Sequence, residues 1–162
     1  MIGWVEDAPS PFAGLRRQHR ARRGQSLLEL ALTLPVLAIL LLVALDFARM
    51  FNMAMAVTDA ARAGAHWGAQ NRTTAANVLG MEQVACASMV DYPCTPGANT
   101  VASSFCQCAG SSGTISCTNP GGCTNVLAFV TVTARTTFST VFAYPGLPAS
   151  VPLSASVTMQ VQ

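Results

Sequence analysis

The chain has no lysine, and charged residues of any kind make up only 10% of its 162 positions. All nine basic residues are arginine, and five of them (Arg16, Arg17, Arg20, Arg22 and Arg23) lie before position 24. Beyond that point four arginines meet five acids, so the basic pI belongs to the N-terminal segment. A nucleic-acid-binding protein needs a basic patch on its folded part, and none is expected here. Histidine is scarce: His19 lies in the basic segment and His66 is the only other. There is no C-x-x-C, no G-x-S-x-G and no glycine-rich phosphate loop following a strand pattern. Gly110-Ser111-Ser112-Gly113 reads as a flexible loop by composition. Cys–His catalysis through His66 would require free thiols in a chain whose cysteines read as paired. The sequence therefore argues against an enzyme and calls for no cofactor and no metal.

What the chain does have is apolar length, with 51% hydrophobic residues overall. Leu27 to Leu45 reads LLELALTLPVLAILLLVAL, close to the roughly 20 residues needed to cross a bilayer core. Arginine-rich flanks stay cytoplasmic, so residues beyond the span are expected on the other side of the membrane. A secretory signal peptide fits less well, because its apolar region is typically about 7–15 residues and ends at a small-residue cleavage site. Here the run is longer, and Asp46-Phe47-Ala48-Arg49 follows it. Glu29 is the only charge inside the run. A carboxylate at membrane depth costs about 2.5–3.5 kcal/mol on insertion scales, so a partner for it is expected. Cleavage after Gly24 would supply one, by making Gln25 a free ammonium one helical turn away. Ser26 is expected as the helix N-cap, with Glu29 at capping-box spacing. Pro35 is expected to kink the helix without ending it.

Arg22-Arg23-Gly24-Gln25-Ser26-Leu27-Leu28-Glu29 resembles a class III prepilin leader. With the following RRGQSLLELALTLPVLAILLLVALDFARMF and VTDAARAGAHWGA, the chain resembles the TadE-like family of minor pseudopilins from the tight-adherence (Tad, Flp-type) pilus system. Glu29 falls on the family's fifth mature residue. Asp46 and Arg49 fall on its Asp-x-x-Arg, and Ala60-Ala61-Arg62-Ala63-Gly64-Ala65 on its AARAGA stretch. One departure is Leu30, where the family usually carries an aromatic residue. The resemblance implies cleavage between Gly24 and Gln25 by a prepilin peptidase and an assembly role for Glu29. It also implies contacts with other pilins or pseudopilins, the inner-membrane assembly platform and the lipid bilayer. The implied location is the bacterial inner membrane, single-pass, with the N-terminus cytoplasmic and the C-terminal domain periplasmic, and a later place in a surface pilus. Two alternatives remain open on the residues alone. One is a membrane-anchored, disulfide-stapled binding module. The other is a minor pseudopilin of a type II secretion system.

The implied organisation is a leader over 1–24, a long helix over 25–70 and a small domain over 71–162. The fold class is α+β, with a membrane-spanning helix followed by a pilin-like domain. That domain holds an antiparallel sheet and a cysteine-rich loop region. The helix divides into a span over 27–45 and an amphipathic extension over 46–70. Along the extension Phe47, Met50, Phe51, Ala54, Val57, Ala61, Ala65 and Gly68 recur at three- and four-residue intervals. Asp46/Arg49 and Asp59/Arg62 are i,i+3 pairs expected to solvate one face. Its small residues would suit either close helix approach or core packing of the outer domain. A short helix is expected over 75–90, capped by Thr73 or Thr74. Cys86, Cys94, Cys106, Cys108, Cys117 and Cys123 all fall beyond the span. An even count in an oxidising compartment implies up to three disulfides. Pairing is left open, except that a Cys106–Cys108 ring would be very tight. Residues 92–125 read as loops with one or two short strands, for instance Thr114 to Cys117. Strands are expected over 126–140, with Val130, Val132 and Ala134 on one face, and over 153–162. In the latter, Leu153, Ala155, Val157, Met159 and Val161 alternate with polar residues. Tyr144-Pro145-Gly146-Leu147-Pro148 would connect the two.

Overall fold

The computed structural model describes residues 13–142, 146 and 148–162, with side chains from Gln25 onward. Residues 1–12 of the expected leader lie outside the described residues, as do Tyr144, Pro145 and Leu147 of the connector. The architecture is α+β. The element order is α1 (Ala13–Gly68), α2 (Arg72–Ala76), α3 (Val78–Ala87), β1 (Thr100–Cys108), β2 (Thr114–Ile115), β3 (Val126–Ser139) and β4 (Ser150–Gln160). Contacts divide the chain between Leu45 and Asp46 into two units.

The first unit contains the apolar half of α1. From Gln25 to Leu45 every side chain is exposed, including all the leucines. A core helix of a soluble domain buries such residues; this one offers them to its surroundings, as a bilayer-crossing helix does. The helix begins well before Ser26, so Ser26 is an interior residue and not the expected N-cap. The arginine, glutamine and alanine content of residues 16–23 favours helix, and no proline interrupts it. Pro35 lies within α1, which continues past it.

The second unit is a four-stranded antiparallel sheet of order β2-β1-β3-β4, with three helical segments against its inner face. β3 is central. It pairs with β1 from Thr100↔Ala134 to Cys108↔Val126 and with β4 from Phe129↔Gln160 to Ser139↔Ser150. Val130, Val132, Ala134 and Phe138 of β3 are buried, as the alternation predicts. β4 alternates as expected, odd residues inward and even residues out. As an edge strand it leaves Val157 and Met159 half-buried, not fully in the core. Edge position also explains Pro152, which would remove a ladder hydrogen bond in a central strand. On the outer face Thr131 and Thr158 share a 2.7 Å hydrogen bond, and Thr133 donates to Ser156 at 3.0 Å.

The small residues of α1 serve this core. Val57, Ala60 and Ala61 pack with Met89 and Ala134, while Ala65 packs with Met81, Ala85, Val130 and Val132. Of the two roles the sequence allowed for Ala60–Ala65, the structure displays packing within the outer domain. The extension's apolar stripe is split: Val57, Ala61, Ala65 and Gly68 are buried, but Phe47 and Phe51 are exposed.

Instead of one helix over 75–90 there are two short ones. Their caps are Asn71 and Asn77, not Thr73 or Thr74. The Asn71 side chain accepts from the Thr74 N–H at 2.9 Å, and the Thr74 hydroxyl accepts from the Asn71 N–H at 3.2 Å. The Asn77 side chain accepts from the Gly80 N–H at 3.0 Å. Asparagine is among the strongest N-cap residues, so two helix starts were legible at these positions. β1 lies where loops were expected, and the second strand of that region shrinks to Thr114–Ile115.

Candidate functional site

Three groups of residues carry the sequence-derived expectations, and they lie apart along the chain. Gly24, Gln25 and Glu29 lie on the N-terminal part of α1. The Glu29 side chain is exposed. Among the described residues no ion pair or hydrogen bond engages it, so no group within the described chain fulfils the expectation of a partner.

Asp46 opens the second unit and is the most constrained charge in it. It is only 6% exposed. Arg49 Nη1 donates to its Oδ1 at 3.1 Å, and the Val141 N–H donates to both carboxylate oxygens at 3.3–3.4 Å. The Arg49 guanidinium lies 5.7 Å from the centroid of the Phe138 ring, within cation–π range. Asp46 and Arg49 were expected to solvate a helix face. Instead they fasten α1 to the C-terminal end of β3, 95 residues away in sequence. A buried carboxylate needs such donors, since leaving it unpaired costs far more than a neutral group. Asp59 and Arg62 behave as expected, as an exposed pair at 3.7 Å, worth at most a few tenths of a kcal/mol.

The six cysteines form three disulfides, Cys86–Cys94, Cys106–Cys117 and Cys108–Cys123, with Cα separations of 5.4, 5.2 and 5.8 Å. These separations suit the bond. Cys106 and Cys108 take different partners, as expected. The first bridge closes the end of α3 onto the loop before β1. The other two pin the glycine-rich segment around β2 to β1, where little apolar surface is available to hold it. Among the described residues no cysteine is free, and no group of three or more His, Cys, Asp or Glu is arranged to hold a metal ion. The cleft between α2 and the sheet is lined by Arg72, Ala75, Phe105, Cys117 and Phe129, and it gathers no acid, histidine or free thiol.

Sequence reasoning missed Glu82. It is buried on α3, where its Oε1 accepts from the Ala102 N–H at 3.1 Å and its backbone carbonyl accepts from the Thr100 hydroxyl at 3.1 Å. It anchors α3 to the start of β1. The available signal was its position as the sole charge in Val78–Ala87, a segment whose only other polar side chain of length is Gln83.

No curated protein and no solved structure matches the chain significantly. Residues 24–66 start at the glycine of the expected processing site and take in Glu29, the Asp46–Arg49 latch and the buried Ala60, Ala61 and Ala65. This segment matches the family model described as TadE-like protein.

Proposed function

We propose that this chain is a minor pseudopilin of a Tad/Flp-type pilus, a structural component and a substrate of a prepilin peptidase. The observation that carries the reading is the coincidence of the matched segment with the exposed apolar helix. The TadE-like match runs over 24–66, and within it lies a helical stretch of mean hydropathy 2.6, none of it buried. A helix of this kind suits a single-pass inner-membrane protein, with the arginine-rich end in the cytoplasm and residues 46–162 in the periplasm. Its partners are the bilayer, other pilins or pseudopilins and the assembly platform. Three disulfides suit an oxidising compartment.

In this reading, cleavage between Gly24 and Gln25 creates an ammonium at Gln25. That group lies four residues from Glu29, about 6 Å along a helix. An amine and a carboxylate brought together in a low-dielectric medium neutralise each other, within a subunit or between neighbours. Glu29→Ala should therefore still be inserted and cleaved but fail to support piliation, scored by electron microscopy and by recovery of sheared pili. Normal piliation by this variant would reduce Glu29 to a helix-start residue and remove the assembly role.

A further inference from the structure

We propose that the two residues Val141 and Phe142, just after β3, form a membrane-interface contact: with Phe47 of α1, they enter the headgroup region of the bilayer that α1 crosses. The inference rests on the membrane-spanning reading above and extends it to a surface of the folded domain. Val141 is 62% exposed, Phe142 46% and Phe47 63%. They come from two parts of the chain 94 residues or more apart in sequence, joined at Asp46. The Val141 N–H is bound to the carboxylate of Asp46 at 3.3–3.4 Å. Asp46 directly follows Leu45, the last residue of the apolar run.

Depth follows from chain continuity. A span of about 20 residues fills the hydrocarbon core, and the headgroup layer adds roughly 5–7 Å on each side. Asp46 and Phe47 therefore fall in that layer, and the latch holds Val141 at the same level as Asp46. Apolar side chains such as Phe bury at the headgroup–acyl boundary in segments that lie on a membrane surface. Arg49 lies one turn further on with its side chain 55% exposed. Its guanidinium matches the phosphates of the headgroups in charge and hydrogen-bond geometry. Exposed apolar groups, an exposed cation and the exit point of the span thus coincide, which favours lipid over a protein partner as the occupant.

The test uses the full chain in phosphatidylcholine vesicles, with tryptophan introduced at one of three places and quenching by brominated lipids compared with the parent chain. Phe142→Trp reports on the loop. Leu37→Trp reports on the span. Leu79→Trp is the control: Leu79 is 57% exposed but lies beside Gly80, which abuts Trp67, about 30 Å along α1 from Asp46. Phe142→Trp should be quenched several-fold more than Leu79→Trp by lipids brominated close to the headgroup. Leu37→Trp should be quenched most by lipids brominated deep in the chain. Equal quenching at positions 142 and 79, with Leu37→Trp still quenched, would overturn the loop contact and leave the span standing. Blue-shifted but unquenched emission from Phe142→Trp would mean a protein-covered loop and would also overturn it. No quenching of Leu37→Trp would remove the span and the contact together.

Discussion

Gly64 provides a prediction whose sign separates two explanations of the alanine- and glycine-rich stretch. If these residues only promote helix, Gly64→Ala should stabilise the protein by about 1 kcal/mol, the usual difference between the two residues in a helix interior. The packing points the other way. A Cβ at position 64 would lie 2.8 Å from the Met81 carbonyl oxygen, 3.0 Å from Ala85 Cβ and 3.1 Å from Val132 Cγ1. Two of these neighbours belong to α3 and one to β3, so the methyl has no side to yield toward. The nearest is backbone, and α3 is itself held by the Cys86–Cys94 bridge and by Glu82. Overpacking a core by a methyl typically costs about 1–3 kcal/mol, and a backbone clash belongs in the upper part of that range. Set against the gain in propensity, the net loss should be about 1–2 kcal/mol. Urea unfolding of the full chain in detergent, with disulfides intact, would measure it. Trp67 fluorescence is a suitable signal because Trp67 packs against the same core. A Gly64→Ala protein as stable as the parent, or more so, would refute the close approach of α1, α3 and β3 on which the domain's core rests.

Two further outcomes follow from the same packing. Val157 touches both core clusters while Thr158 faces out to Thr131; Val157→Asp should therefore cost about 2 kcal/mol or more and Thr158→Asp little. Limited proteolysis of the two variants would show this, and equal resistance would contradict the assigned face. Alkylation of the unreduced, exported protein should label no cysteine, with mass spectrometry recovering the 86–94, 106–117 and 108–123 linkages; labelling of four or more would contradict the bridged architecture.

The legible parts of the sequence were those where one environment repeats over many residues. The span shows as a long apolar run broken by one charge, and β3 and β4 show as alternation, because each meets the same surroundings at every turn or every second residue. β1 was hidden because its signals are inverted. Its buried positions are the small or polar Thr100, Ala102 and Cys106, while Val101 is exposed and Phe105, only half-buried, stacks on Phe129 of the neighbouring strand, with ring centroids 5.5 Å apart. Alternation of apolar character finds a strand only when the apolar side is the inner one. Asp46 was misjudged for a different reason. An Asp-x-x-Arg pair on a helix looks the same whether solvated or buried. Its second partner is a backbone amide, which no side-chain pattern announces. Two of the three disulfide pairings were open because Cys106 and Cys108 lie on the strand the sequence concealed.

In the working protein α1 is proposed to begin at Gln25. Intact-mass and N-terminal analysis of protein extracted from the membrane tests it directly, in cells with and without prepilin peptidase and in a Gly24→Val variant. A new N-terminus at Gln25 is expected in the presence of the peptidase only, and uncleaved chain in both the peptidase-free cells and the variant. An N-terminus unchanged by removal of the peptidase, or a cut elsewhere than between Gly24 and Gln25, would contradict it.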